Sequence, residues 1–165
     1  MIPVPQRTTD DCVRAAFASV LEMAYEELPD FRHEGVPWTS GDGTIYKAHG
    51  LDGARMWMRQ AGWPITTREV RYFRPMSEIE AMSDEERADP LNRYAPRKHP
   101  PHHGGWWIGI VISENIAGST HAIVMHGGGV AFDPCTTPRR TPYQFVGEIT
   151  FVAEDPSVLW PGWRA

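Results

Sequence analysis

The chain has 165 residues, 41% of them hydrophobic, with 16 basic against 21 acidic side chains and a formal charge of -5. That is the size of one ordinary domain with room for a proper core, so a single domain over residues 1–165 is expected. Mild acidity with no basic patch longer than Arg139-Arg140 argues against nucleic acid as a partner, and no apolar run approaches membrane-spanning length.

Thr8, Thr9 and Asp10 are candidate N-caps, and Val13, Ala16, Phe17, Val20 and Leu21 recur at the spacing of a buried helical stripe. The pattern predicts a first helix beginning just before Cys12 and giving way near Met23. A helical turn over Tyr25 to Leu28 follows, stopped by Pro29. Residues 32 to 50 carry Gly35, Pro37, Gly41, Gly43 and Gly50 and read as a long loop. Leu51 to Ala61 reads as a second helix with Gly62 as its stop, Ile65 to Phe73 as a strand, and Ser77 to Arg87 as a weak acidic helical segment. The proline-rich run from Asp89 to Gly105 should be irregular. Beyond it, Trp106 to Ile112, Thr120 to His126, Val130 to Phe132 and Glu148 to Val152 are β-like runs between turn residues. Helices followed by an antiparallel sheet predict an α+β fold.

Cys12 would sit at the helix start, where unsatisfied backbone N–H groups and the positive end of the macrodipole favour a thiolate. Asp10 and Asp11 oppose that charge. A partner for the thiol is encoded downstream. If Gly127, Gly128 and Gly129 form the loop of a hairpin, His126 faces Val130, Ile123 faces Asp133, and His121 lies diagonal to Asp133 on the same face. A slip of one residue would turn Asp133 to the face of His126, so the odd-length loop selects His121. Histidine can take the proton of a thiol when a third group fixes its orientation. Cys12, His121 and Asp133 fit those roles, with the Gln6 amide and the Cys12 backbone N–H as oxyanion donors. The implied reaction is attack on a carbonyl through a thioester.

Gln6, then Asp11-Cys12 at a helix start, a distant histidine entering a strand and Asp133-Pro134 closing the next one resemble the papain-like cysteine peptidases. Within that clan the chain is most similar to the bacteriocin leader-processing peptidases and their stand-alone relatives. The resemblance implies a papain-like fold, Cys12 as nucleophile, His121 as base, Asp133 as its orienter and Gln6 in the oxyanion hole. It implies a peptide or protein substrate and no cofactor. Val13 stands where the family usually has glycine. The same scaffold also accommodates a non-catalytic binding or regulatory protein, an acyltransferase or a deamidase.

Rival features read more plainly. His99, His102 and His103 match no zinc spacing and read as a solvated loop, so no metal is expected. Cys135 ends a strand instead of opening a helix, which leaves its thiolate unstabilised. Trp106 and Trp107 are adjacent in a strand, so at most one can line a cleft. The tail Leu159 to Trp163 reads as a clamp or an oligomer contact. Two cysteines are too few for a disulfide framework, and Met1 to Pro5 has neither the basic flank nor the apolar run of a signal peptide, so a cytoplasmic location is expected.

Overall fold

Cys12–Leu21 form helix α1, whose Ala15, Ala16, Phe17, Ala18, Val20 and Leu21 are all buried in the computed structural model, which describes residues 1–8, 10–63, 65–99, 103–137 and 139–153. The alanines suit a helix interior and let the backbone approach its neighbours closely. The helix ends where Glu22 turns left-handed at φ 56°. Its N-cap is Asp11, which makes no side-chain cap bond. The expected caps are employed otherwise: Thr8 donates to Asp10 Oδ1 at 2.8 Å, and Thr9 lies outside the described residues.

Residues 32 to 50 are not the long loop expected. Val36–Thr39 (β1) and Ile45–Ala48 (β2) form an antiparallel ribbon with Pro37 opposite Lys47 and Trp38 opposite Tyr46. Pro37 is tolerated because its carbonyl accepts from Gln60 Nε2 at 2.6 Å, off the ribbon's outer edge, where the missing N–H interrupts no ladder. Gly41 and Gly43 fall in the turn, which Asp42 closes by accepting from the Thr44 N–H at 3.0 Å. Helix α2 (Gly50–Gln60) follows and stops before Gly62, left-handed at φ 70°, as the sequence predicts. The acidic segment is two short helices, α3 (Met76–Glu80) and α4 (Asp84–Ala88), separated because Ser83 and Glu86 build a capping box that starts the second afresh.

A five-stranded antiparallel sheet forms the other layer, in the order β3-β7-β4-β5-β6. Its strands are β3 (Ile65–Arg71), β4 (Trp106–Ile112), β5 (Thr120–His126), β6 (Gly129–Phe132) and β7 (Phe145–Ala153). Helix α1 packs mainly on β5 and partly on β4. Phe17 meets Phe31 and Phe151 edge-on, with ring centroids 6.1 and 5.5 Å away. A second apolar cluster joins Tyr72 and Phe145 to Trp107, Val111, Ile123 and Met125, which alternate with this core along β4 and β5. The fold is thus α+β, with an N-terminal helix against antiparallel strands.

The hairpin that carries the site closes differently from the expectation. The turn uses two glycines, Gly127 and Gly128, so His126 pairs with Gly129 and not with Val130. Ala131 is then an extra, bulged residue, and beyond it Val124 pairs with Phe132. From that point the register is the one a three-residue loop would have produced.

Candidate active site

The thiol belongs to the first residue of α1. Its backbone N–H therefore has no intrahelical acceptor, and Cys12 is 9% exposed. His121 enters at the start of β5, and its Nε2–H donates to Asp133 Oδ1 at 2.6 Å. The Cys12 side chain interacts with the same imidazole. With Nε2 taken by the carboxylate, Nδ1 is the nitrogen left to face the sulfur.

Asp133 is fixed by more than its histidine. Its Oδ1 also accepts from the Cys135 N–H at 2.9 Å, and its Oδ2 accepts from the Tyr143 hydroxyl at 2.9 Å. These groups hold the carboxylate ionised. Burial alone would raise its pKa, yet the His121 hydrogen bond, followed by the Cys135 amide and Tyr143, brings it below the carboxylate range. For His121, burial disfavours the cation, but Asp133 and then Cys12 outweigh it and lift the pKa from 6.5 to about 9. Tyr143 is pushed up to about 12 by burial and by its bond to Asp133. Nothing in the sequence around Tyr143 distinguishes it as a partner of Asp133, and sequence reasoning missed it.

Gln6 is tethered beside the pair by its backbone N–H, which donates to Pro134 O at 2.9 Å. Its side-chain amide makes no hydrogen bond to a described residue, and Oε1 is buried. Gln6, His121 and Cys135 line a cavity of about 280 Å³, while Cys12, Val13, Ser119 and Thr120 line another of about 210 Å³. Cys12 borders one and His121 the other.

The two carboxylates near the thiol are both occupied. Asp10 faces His33 Nε2 at 3.1 Å and Arg32 Nη1 at 3.6 Å. Asp11 Oδ2 accepts from the Arg7 N–H at 3.0 Å and from the Tyr25 hydroxyl, which pins the segment that carries Gln6. Sequence reading took Asp11 only as an opposing charge and missed this bracing role.

Other sequence candidates sit apart. His126 is exposed, with its ring 4.5 Å from that of Trp106. Cys135 Sγ accepts from Asn115 Nδ2 at 3.2 Å and shares the cavity of His121. His99 is exposed, and His102 lies outside the described residues. His103 departs from the solvated loop expected of it. It meets Trp107 edge-on and places Nε2 2.9 Å from Glu148 Oε2, the buried oxygen that also accepts from the Tyr72 hydroxyl at 2.6 Å. Trp107 is fully buried and Trp106 only partly so, as their opposite facings require. The Trp160 and Trp163 tail lies outside the described residues.

Among the described residues, no cluster of metal-ligating side chains and no helix long and apolar enough to cross a membrane is found. Comparison of the chain with known protein families, curated proteins and solved structures found no match.

Proposed function

We propose that the protein is a cysteine hydrolase of papain-like type that cleaves a peptide or other amide bond. The observation that carries the reading is the His121 imidazole, held on one side by Asp133 at 2.6 Å and interacting with the Cys12 thiol. A histidine raised to about 9 in such a setting stabilises a neighbouring thiolate as an ion pair.

In this reading the thiol proton already rests on Nδ1 of His121, and Sγ attacks the substrate carbonyl carbon as the thiolate. The oxyanion is met by the Cys12 N–H and the Gln6 amide, neither of which has a hydrogen-bond partner to lose among the described residues. The imidazolium then passes its proton to the departing amine, leaving a thioester on Cys12. Water attacks that thioester with His121 as base, which releases the acid and restores the thiol. An amine acceptor in place of water would make the same steps an acyl transfer.

The limited exposure of Cys12, 9%, with Val13 lining the same cavity, supports a second reading as a binding or regulatory protein on this scaffold. Alkylation separates the two. With iodoacetamide at pH 6.5, Cys12 should react roughly tenfold or more faster than Cys135 in the same molecule, and His121→Ala should abolish the difference. Equal rates at the two thiols would overturn the hydrolase reading. Cys12→Ala should leave the fold intact and remove all turnover of a peptide library.

A further inference from the structure

A further cavity has a lining that does not include Cys12, His121 or Asp133. It is an open groove of about 780 Å³ lined by the β1–β2 ribbon, α2 and Thr66 of β3. Its aromatic element is Trp38 stacked on Tyr46, centroids 5.2 Å apart at 25°, with Tyr46 still 48% exposed. Its walls carry Lys47, Arg55 and Arg59 against one carboxylate, Asp52. That carboxylate is already matched: Asp52 Oδ1 accepts from Arg55 Nη1 at 3.1 Å, while Arg55 Nε is held by Thr67 O and Oγ1, both at 3.1 Å. Lys47 and Arg59 make no ion pair among the described residues. Two cations without an ion pair among the described residues are thus gathered beside an exposed ring in a chain whose formal charge is -5.

This cavity is next to the thiol's own. His49 lines the larger one and its neighbour Gly50 the smaller. The junction is tied down by the Gly50 N–H donating to Phe31 O at 2.6 Å and by His49 Nδ1 3.1 Å from Arg32 O. The His49–Gly50 junction is thus shared between the linings of the two cavities. A polypeptide passing over it would have one part at Cys12 and another between Lys47 and Arg59.

We infer that this groove is a distal subsite for an acidic segment of the polypeptide substrate, its carboxylates between Lys47 and Arg59 and an apolar side chain against Tyr46. The assignment rests on the hydrolase reading for the word substrate, but its charge and shape argument does not. Charge complementarity of this kind is screened by salt and adds selectivity for the partner.

The test uses two fluorescein-labelled decapeptides, one with four glutamates flanking a phenylalanine and one with glutamines in their place. Each is titrated by fluorescence anisotropy into the full chain carrying Cys12→Ala. The glutamate peptide should bind roughly tenfold or more tighter than its glutamine counterpart at low salt, and the advantage should shrink as salt is raised. Lys47→Glu with Arg59→Glu should remove that advantage, and Tyr46→Ala should weaken both peptides alike. In the Cys12 background the charge-reversed pair should leave iodoacetamide labelling of the thiol unchanged. Equal binding of the two peptides, an advantage that survives charge reversal, or displacement of the glutamate peptide by a mononucleotide would overturn the assignment. Discrimination between the peptides with an unreactive Cys12 would retain the groove and discard the hydrolase; a reactive Cys12 without discrimination would do the reverse.

Discussion

Asp133 receives three hydrogen bonds on two oxygens, and each donor serves a different end. The Cys135 amide fixes the backbone after the bulge, Tyr143 braces the second oxygen, and His121 is the group being oriented. The pair also links stability to pH in a direction that can be worked out. His121 has a folded pKa of about 9 against 6.5, so its contribution is fully present below 6.5 and is lost as pH rises through 9. Asp133 is lowered from 3.8, so its contribution is present above that value and is lost as pH falls below it. The interaction should therefore be largest between these two limits. For His121 alone the shift corresponds to about 3 kcal/mol, at about 1.4 kcal/mol per pH unit. Urea denaturation of the native chain and of Asp133→Asn should show their widest stability gap near pH 5.5. By about pH 10, with the imidazolium lost, the gap should narrow to the hydrogen bonds that the still ionised Asp133 accepts from the neutral imidazole, the Cys135 amide and Tyr143. A gap independent of pH would mean that the imidazole is not the charged partner.

At the scale of elements, α1 is a carrier for the thiol and Phe17 is its anchor. That ring is fully buried against Phe31 and Phe151. Phe17→Ala should cost about 3–5 kcal/mol in chemical denaturation. The central strands impose a tighter demand at Gly147, where a Cβ would come within 2.7 Å of Val70 O, a backbone atom of β3. At Gly109 the nearest obstacle is the edge of the Phe145 ring, at 2.9 Å. Within the range of about 1–3 kcal/mol typical of overpacking, Gly147→Ala should therefore be the more damaging of the two. Thermal melts of the pair would check the order, and a milder Gly147→Ala would contradict it. Elements with a clean period were legible in the sequence: the α1 stripe, α2 with its glycine stop, and β4 and β5. The β1–β2 ribbon was not, because a proline on an outer edge and glycines in a turn look the same in sequence as those of a loop. His121 and Asp133 were legible because parity survives a mistaken turn: the Ala131 bulge restores the register that the shorter glycine loop had shifted. Tyr143 was not legible, since its bond to Asp133 depends on how the segment before β7 returns to the sheet, and a lone tyrosine in a polar run has no period to reveal it.

For the molecule as a whole, the candidate site has no local existence. Gln6 comes from the N-terminal segment, Cys12 from α1, His121 from β5 and Asp133 from the residue after β6. The N-terminal segment is tied down by Gln6 N–H to Pro134 O at 2.9 Å, by Val4 N–H to Ser19 Oγ at 2.9 Å and by the Met1 amino group on Glu22. Those polar contacts hold a segment whose Met1 and Val4 are only partly buried against the core. Helix α1 differs, because separating it from β5 would expose Phe17, Val20 and Leu21 together with Ala122 and Val124 beneath them. The thiol and the imidazole should therefore part only when the core does. In a urea series, the ratio of Cys12 to Cys135 alkylation rates should fall to unity with the same midpoint as the far-ultraviolet circular dichroism signal, as a two-state transition requires. Loss of the ratio at lower urea, with the dichroism still native, would show that the α1 contact with β5 yields before the sheet. Cys12 would then owe its reactivity to a contact weaker than the core, and the assembly argued from Phe17 and its neighbours would fail.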